Sequence, residues 1–280
     1  MLNLEYAFAD VKKFDDGQIS LDLSVKFFNC GALVISSFGL CPNDHLIEFL
    51  TLIHYLRVRG IKNITALMPY FPYARQDDDT GQRNLTLALL KAAGVDKIFI
   101  LDIHSIKPDD IKRGLYNILP FKIFQPVLKH FALDRLLFIS PDRGGGVRTR
   151  AFAQEVGAPF IILNKHKMPN KSCLVSSSDY TEHNISNFDC IIVDDLLDSG
   201  ATLIAGVEFL VQNKAKSINA FITHGLFSAR ASEFLQKSSL QNVYVTDSLL
   251  KNDFPDLIKV LPSSKALACA LHNLVDVKRV

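Results

Sequence analysis

The sequence predicts an α/β protein made of two tandem halves, each a mostly parallel sheet flanked by helices. The apolar run Ile191 to Val193 is typical of a strand buried on both faces. It is followed by three carboxylates, a Ser-Gly-Ala-Thr turn and an amphipathic stretch at 203–211. The order of strand, loop and helix found in the first half starts again at Leu136, which indicates two copies of one α/β unit.

The first half is predicted to open with a hairpin at 11–23, because Asp15, Asp16 and Gly17 form a turn signal and apolar residues alternate after it. Strands are then expected at 32–35, 64–68 and 97–101, with helices at 44–59 and 85–93. Gly60 and Gly94 end these two helices. Residues 115–131 are expected to form an irregular crossover with a helix from Pro126.

In the second half, strands are predicted at 136–139, 160–163, 190–193, 217–223 and 243–246, and helices at 147–156, 203–211 and 263–277. A basic loop is expected at 164–171. The predicted domains are therefore 1–122 and 123–264, with a closing helix at 265–280 that returns to complete the first domain.

Composition excludes several classes of protein. A length of 280 residues and a hydrophobic content of 48% suit two modest globular domains. A formal net charge of +2 gives no reason to expect nucleic acid as a partner. No stretch approaches the ~18 apolar residues of a membrane span, and the first ten residues lack a signal-peptide pattern, so no membrane partner and a cytoplasmic location are predicted. Five scattered cysteines without a CxxC pair are interpreted as reduced packing residues.

The stretch 194–202 combines groups that suit a sugar phosphate. Asp194 and Asp195 are placed at the carboxyl end of a predicted parallel strand, where open α/β sheets bind ligands, and adjacent carboxylates suit vicinal hydroxyls. The following turn would present backbone N–H groups, hydroxyls and a helix N-terminus to a phosphate; it consists of Asp198, Ser199, Gly200, Ala201 and Thr202. A plain strand followed by a capped helix needs only one polar residue and leaves two carboxylates unexplained.

Two other loops carry more polar and aromatic residues than a plain turn requires. At 140–151, SPDRGGGVRTRA, three glycines offer N–H groups to an anion, and Asp142 with Arg148 and Arg150 suits a phosphate and Mg²⁺. The alternative is a helix start whose glycines give clearance. At 69–79, PYFPYARQDDD places three aromatics and an arginine in one loop, which favours recognition over plain solvation.

These motifs resemble known proteins. Residues 190–202 resemble the phosphoribosyl-diphosphate binding motif of the type I phosphoribosyltransferase fold. The complete order of motifs resembles the ribose-phosphate pyrophosphokinase family and covers nearly all of the chain: FDDGQ, CPNDHLIEF, PYFPYARQD, DIHS, SPDRGGGVRTRA, NKHK, DDLLDSGAT and THGLFS.

The resemblance implies two phosphoribosyltransferase-like domains that transfer an intact diphosphate from ATP to the anomeric hydroxyl of ribose 5-phosphate, releasing AMP, with Mg²⁺ as cofactor. It assigns ribose 5-phosphate to Asp194, Asp195, Asp198, Ser199, Gly200, Ala201 and Thr202. It assigns ATP to Phe14, Asp16, Gly17, Gln18, Arg75, Gln76 and His104, Mg²⁺ to His104 and Asp142, and catalysis to Lys165 and Lys167. The Phe14 hairpin, by the same resemblance, reaches a neighbouring subunit's adenine, which implies a homo-oligomer, either a dimer or a hexamer built from dimers.

The sequence departs from the family pattern at several points. Ala201 replaces a common glycine, Gln18 a common glutamate, and Lys167 a usual arginine, which turns a bidentate phosphate contact into a point charge. Asp78, Asp79 and Thr80 follow Asp77 where basic residues and a longer segment are common, and three successive acids would repel phosphate, so control by phosphate and ADP is not expected. The sequence also begins close to Phe14, where family members usually carry a further strand and helix.

These departures leave a second interpretation, a catalytically weak regulatory or assembly subunit of the same family. A third interpretation, a phosphoribosyltransferase that consumes the product, follows from 194–202 alone. The tandem halves and the PYFPYARQD loop argue against the third.

Overall fold

The computed structural model describes residues 6–23, 31–39, 41–75, 81–167, 173–177, 185–228, 230–249 and 254–276. It has the α/β architecture that the sequence predicts, with sheets in two compact units. The first unit comprises Met1–Ile118 and Leu267–Val280, and the second comprises Leu119–Ala266. Within the described ranges, none of the helices is both long and apolar enough to cross a membrane.

The first unit contains a two-stranded antiparallel hairpin and a four-stranded parallel sheet. The hairpin pairs β1 (Asp10–Lys13) with β2 (Ile19–Asp22). The sheet contains, in spatial order, β3 (Ala32–Ile35), β4 (Ile64–Met68), β5 (Lys97–Leu101) and β6 (Leu115–Ile118). The helices are α1 (Pro42–Val58), α2 (Gln82–Ala93) and α3 (Pro108–Lys112).

Helix α1 shows why these elements form and how they pack. Pro42 occupies its first turn, where the missing N–H carries no penalty. Phe49, Ile53 and Leu56 follow helical spacing and are buried in the core of the unit. At the other end, Arg57 donates to the carbonyl oxygen of Gly94 at 2.8 Å, which ties α1 to the end of α2.

The second unit contains a seven-stranded sheet with spatial order β13-β12-β11-β10-β7-β8-β9. Its strands are β7 (Leu136–Ser140), β8 (Phe160–Lys167), β9 (Cys173–Ser177), β10 (Asp189–Leu197), β11 (Ser217–Gly225), β12 (Asn242–Thr246) and β13 (Ile258–Leu261). Neighbouring strands are parallel except β8 and β9. The helices are α4 (Phe121–Phe124), α5 (Gly146–Val156), α6 (Ala201–Gln212), α7 (Ala231–Gln236) and α8 (Ser264–Asp276), the last of which extends from the second unit into the first.

Aromatic packing covers one face of this sheet. The rings of Phe124 and Phe221 stack with centroids 4.9 Å apart, and Phe152 meets Phe138 edge to face at 6.1 Å. All four side chains are fully buried. Offset and edge contacts of this kind contribute beyond the burial of area, by about 0.5–1.5 kcal/mol per pair.

The crossover at 115–131 is more regular than the sequence predicts. Residues 115–118 form β6, which pairs in parallel with β5, and a 3-10 helix at Gln125–His130 replaces the helix expected from Pro126. Four residues are too few for a period to be recognised, so β6 is visible only through its partner strand. The sequence does not predict three other short elements for the same reason: α3, α7 and β13.

The predicted basic loop at 164–171 is wrong for its first residues. Strand β8 continues through Lys167 and pairs antiparallel with β9, with Lys165 opposite Val175 and Lys167 opposite Cys173. Backbone hydrogen bonds to a neighbouring strand hold such a segment extended whatever its side-chain polarity. The remaining residues of the prediction that lie between the two strands are outside the described residues.

Candidate functional site

The central feature of the second unit is the gap between the carboxyl ends of β7 and β10. These strands are neighbours, but the chain continues from β7 to β8 on one side and from β10 to β11 on the other. Strand order therefore reverses between them. Such a switch point leaves a crevice beyond the strand ends, where open α/β sheets bind their ligands.

The acid pair lies at this crevice, although not after the end of its strand as the sequence predicts. Strand β10 continues to Leu197, paired with β11, whereas its pairing with β7 ends at Ile192. Asp194 and Asp195 thus belong to a part of β10 that projects past β7 and has a partner strand on one side only. The sequence predicts too early an end for this strand, because charged residues are typical of a strand boundary. In the structure, hydrogen bonding to β11 continues past them.

An arginine from α5 holds the acid pair. Arg148 Nη1 lies 3.2 Å from Asp195 Oδ1 and 3.9 Å from Asp194 Oδ1, and its side chain is only 8% exposed. The backbone N–H of Asp195 donates to Asp194 Oδ1 at 2.9 Å. Burial, followed by the Asp195 charge, raises the pKa of Asp194 well above its ordinary value, against the opposing effect of Arg148. Two carboxylates that are 15% and 7% exposed and share one cation are suited to accepting hydrogen bonds from hydroxyl groups.

The loop after β10 presents the start of α6 to the same crevice. Gly200 has φ +81°, a left-handed conformation that favours glycine, and α6 begins at the next residue. The Asp198 carbonyl accepts from Ser228 N at 3.1 Å, which fixes the loop from behind. The helix is 12 residues long, and its N-terminus carries a partial positive charge that attracts anions.

The loop after β7 forms the other wall. Asp142 Oδ1 accepts the backbone N–H of Gly145 at 3.1 Å, and the Ser140 hydroxyl donates to the Asp142 carbonyl at 2.7 Å. A Cβ on Gly145 would lie 2.7 Å from Ser140 Oγ, so a side chain there would displace the hydroxyl that donates to the Asp142 carbonyl. The charge of Asp142 also contributes to the raised pKa of Asp194, which places the two carboxylates in one electrostatic site.

The two arginines of this loop have different surroundings. The Arg148 guanidinium contacts the acid pair and also lies beside the glycine loop, 3.8 Å from the position of a Cβ added to Gly145. Arg150 is exposed, with its guanidinium 5.5 Å from the centre of the Phe160 ring. The pattern SPDRGGGVRTR contains both arginines, and only the helical phase of α5 decides which of them turns inward.

The hairpin of the first unit is exposed, as a recognition element would be. Phe14 is 61% exposed at the start of the turn. Asp16 accepts both the backbone N–H and the side-chain amide of Gln18, at 3.0 and 2.8 Å, around Gly17. Lys13 donates to Asp44 of α1 at 2.6 Å, which anchors the hairpin to its own unit.

Other predicted ATP residues follow the strands of the first sheet. Arg75 is exposed in the loop after β4, and His104 is exposed in the loop after β5. Parallel pairing of β4 and β5 brings these two loops to the same edge of the sheet. Gln76 lies outside the described residues.

For Lys165 and Lys167, the structure describes the backbone. Both lie on β8, at positions that pair with β9. Their catalytic role stays a prediction.

The carboxylates of the site fit Mg²⁺ only in combination with phosphates. Asp142 offers a carboxylate, the hard oxygen ligand that Mg²⁺ prefers. Within the described ranges, no three His, Cys, Asp or Glu side chains cluster closely enough to enclose a metal ion by themselves. A Mg²⁺ ion is usually bound by one or two carboxylates, water and substrate phosphates, and the side chains here suit that mode.

Comparison with known proteins identifies relatives over most of the chain. The family profile for the N-terminal domain of ribose phosphate pyrophosphokinase matches residues 1–94, and the phosphoribosyl transferase domain profile matches 122–248. The ribose-phosphate pyrophosphokinase of Bradyrhizobium diazoefficiens is 32% identical, covering 96% of this chain and 87% of its own. That of Agrobacterium fabrum is 33% identical, covering 89% and 81% respectively. The crystal structure of phosphoribosylpyrophosphate synthetase from Mycobacterium smegmatis superimposes with a TM-score of 0.85 and 26% identity, covering 98% of this chain and 92% of its own.

Proposed function

The chain belongs to the ribose-phosphate pyrophosphokinase family, and on that premise we propose how its residues divide the work of the reaction. The enzyme transfers the diphosphate of ATP to the C1 hydroxyl of ribose 5-phosphate and releases AMP. Its fold, two phosphoribosyltransferase-like domains, is the one expected from the order of motifs.

The crevice between β7 and β10 binds ribose 5-phosphate in this proposal. The observation that carries it is the acid pair beside the N-terminus of α6, both at the switch point of one sheet. Asp194 and Asp195 accept hydrogen bonds from the vicinal ribose hydroxyls. The 5-phosphate binds at 198–202, where backbone N–H groups and the helix terminus favour an anion. Ala201 in place of the usual glycine leaves this turn compact, because Gly200 alone takes the left-handed conformation.

The first unit contributes nucleotide recognition. We assign ATP to Arg75, Gln76 and His104, and the adenine to the hairpin residues Phe14 and 16–18. Arginine suits phosphate because its planar fork donates two parallel hydrogen bonds. An exposed phenylalanine suits stacking on a base.

Mg²⁺ is the proposed cofactor, and its candidate side-chain ligands are His104 in the first unit and Asp142 in the second, each considered within its own unit. When bound to the ATP phosphates, the ion offsets charge on the oxygens of the transferred group. Imidazole is an uncommon ligand for Mg²⁺, so we expect phosphate oxygens and water to fill most of the coordination sphere.

The chemistry requires alignment rather than a covalent enzyme intermediate. The C1 oxygen attacks the β-phosphorus, the bond between that phosphorus and the α–β bridging oxygen breaks, its electron pair leaves with AMP, and the hydroxyl proton passes to solvent. Negative charge grows on the nonbridging and leaving oxygens. Lys165 and Lys167 lie on the part of β8 that extends past its pairing with β7, and in this proposal they supply the cations that stabilise this charge.

Assembly and location complete the proposal. An exposed Phe14 hairpin that serves a neighbouring subunit's adenine requires a homo-oligomer, and light scattering of the purified protein distinguishes a dimer from a hexamer. We also propose a cytoplasmic location, consistent with the composition. Control by phosphate and ADP is expected to be absent because of the acids at 77–79.

A coupled assay of AMP formation tests the function. We expect turnover with ATP, ribose 5-phosphate and Mg²⁺, and a fall in kcat of about 10²–10³-fold for Lys165→Ala, the usual effect of removing one transition-state donor. Lys259→Ala, an exposed lysine on β13, is the matched control and should keep full activity. Absence of AMP formation by the wild type would support the regulatory-subunit interpretation, which the relatives' names do not favour. Release of diphosphate only when a nucleobase is added would support a phosphoribosyltransferase.

A further inference from the structure

The loop between β5 and α3, which carries His104, is fixed at its start by hydrogen bonds from its backbone N–H groups to residues of β6. Asp102 is buried with φ +46°, an uncommon conformation for a residue other than glycine. Its N–H donates to the Ile118 carbonyl at 2.9 Å, and the next N–H, of Ile103, donates to Asn117 Oδ1 at 2.9 Å. Strained backbone of this kind persists only where its surroundings enforce it.

The end of the same loop is held by a buried ion pair. The backbone N–H of Lys107 donates to Asp110 Oδ2 at 2.7 Å, and that carboxylate oxygen also accepts from Arg83 Nη2 of α2. Arg83 and Asp110 are each only 2% exposed. His104 therefore lies on a short loop whose two ends are fixed, one by Asn117 and the other by the ion pair.

Stability alone is a poor explanation for this pair. Removing two charges from water costs several kcal/mol per ion, and apolar residues of similar size are often as stable or better. Arg83 Nε is buried and, among the described residues, has no hydrogen-bond partner, so the guanidinium is not fully compensated. What the pair does provide is a fixed register between α2 and α3.

We propose that Arg83 and Asp110, together with Asn117 at the other end of the loop, are positioning residues for nucleotide binding. Arg83 fixes the Asp110 carboxylate, Asp110 fixes the backbone at Lys107, and the loop then presents His104 to Mg²⁺ and ATP. Arg83 also lies in the first turn of α2, the helix that follows the Arg75 segment in the sequence. The inference rests on the proposed role of His104 and adds the residues that hold it in place.

Two double variants separate positioning from stability. Arg83→Met with Asp110→Leu removes the buried charges and the acceptor for Lys107 N–H. Arg83→Met with Asp110→Asn removes the charges but keeps an acceptor oxygen. Both are expected to fold, since neither leaves an unpaired buried charge. We expect the Leu variant to raise the KM for ATP roughly tenfold, as loss of supporting hydrogen bonds does at metal sites, and the Asn variant to raise it much less. The KM for ribose 5-phosphate should stay unchanged in both.

A second readout does not depend on turnover. The ¹⁵N resonances of the His104 imidazole are recorded during titration with Mg²⁺ and ATP, and calorimetry measures nucleotide affinity without ribose 5-phosphate. We expect the Leu variant to weaken the Mg²⁺-dependent shift and the affinity together. A folded Leu variant with a normal KM for ATP and a normal His104 response would overturn the inference.

Variants of Asn117 and His104 test the inference independently of the Leu variant. If the Leu variant does not fold, Asn117→Ala removes the anchor at the other end of the loop, and Asn117→Asp, which retains the acceptor, is its control. Asn117→Ala with a normal KM for ATP would then overturn the inference. If His104→Ala itself binds ATP normally, both the proposed role of His104 and this inference are wrong. If His104→Ala is impaired while the positioning variants are not, only the inference is wrong.

Discussion

At the scale of single residues, the electrostatics of the second unit centre on the projecting end of β10. Asp194 and Asp195 share one buried cation, Arg148, and a third carboxylate, Asp142, lies close enough to repel them. This arrangement is unfavourable for folding at neutral pH, because buried like charges are poorly compensated. Binding sites retain such costs where the ligand offsets them, and the proposed ligand would do so through hydrogen bonds from its hydroxyl groups.

Replacing Asp194 tests this balance. Asp194→Asn should raise the free energy of unfolding at neutral pH, because the native state no longer has to bury a carboxyl whose pKa is raised by desolvation and by Asp195. It should also raise the KM for ribose 5-phosphate. Urea unfolding and steady-state kinetics measure the two effects, with Asp134→Asn, an exposed carboxyl in the same unit, as control.

The difference in unfolding free energy between Asp194→Asn and the wild type should change with pH in a definite direction. The native Asp194 takes up its proton at higher pH than the unfolded carboxyl, so wild-type stability from this group is lost as pH rises from about 3.8, the ordinary value, through the raised pKa. The advantage of Asp194→Asn should therefore grow over this window and level off above it. A stability difference that is the same at every pH would contradict the prediction.

Removing the cation should have the opposite effect on stability. Arg148→Met removes the cation that the two carboxylates share, so we expect a loss of about 3–5 kcal/mol of unfolding free energy at neutral pH. Adding Asp195→Asn should recover part of this loss, because one buried charge is then gone. Equal stability of the single and double variants in urea unfolding would show that the ion pair is not energetically coupled.

At the scale of elements, two loops that follow neighbouring strands make one site. The loop after β7 supplies Asp142 and the glycines, and the loop after β10 supplies the start of α6. The loop after β7 is closed by local hydrogen bonds of Asp142 and Ser140, whereas the loop after β10 is also held by Ser228. Their separation is set by the parallel pairing of β7 with β10.

Two left-handed glycines allow a matched test of the second loop. Gly200 precedes α6 at the site, and Gly157 follows α5 elsewhere, with φ +81° and +69° and nothing within 3.4 Å of an added Cβ at either. Alanine at each position should cost about 1–2 kcal/mol of stability from the left-handed backbone alone. Only Gly200→Ala should also raise the KM for ribose 5-phosphate. Similar kinetic constants for the two variants would argue against phosphate binding at this turn.

At the scale of the whole molecule, activity and ligand stabilisation should depend on Mg²⁺ in different ways for the two substrates. Saturation at 100 times Kd stabilises the folded state by about 2.7 kcal/mol. Chelation by EDTA should abolish turnover and the rise in Tm caused by ATP, while the rise caused by ribose 5-phosphate remains largely intact. Thermal unfolding with each ligand alone measures this. A stabilisation by ATP that EDTA leaves unchanged would contradict the proposed metal role.

The fold class, most long elements and the motifs of the site can be predicted from the sequence alone, because these depend on local patterns. Runs such as Ile191 to Val193 identify a buried strand, and 194–202 has more charge than a helix cap needs. Strands at 32–35, 64–68 and 97–101 have the predicted bounds for the same reason.

Strand lengths and ion pairs that depend on a partner distant in the chain could not be predicted from local patterns and are known from the three-dimensional structure. Strand β6 and the extensions of β8 and β10 exist because neighbouring strands complete their hydrogen bonds. The inward turn of Arg148 depends on where α5 packs, and the pairing of Arg83 with Asp110 depends on two helices meeting. Local sequence determines what a segment can form, whereas long-range pairing determines which buried charges meet.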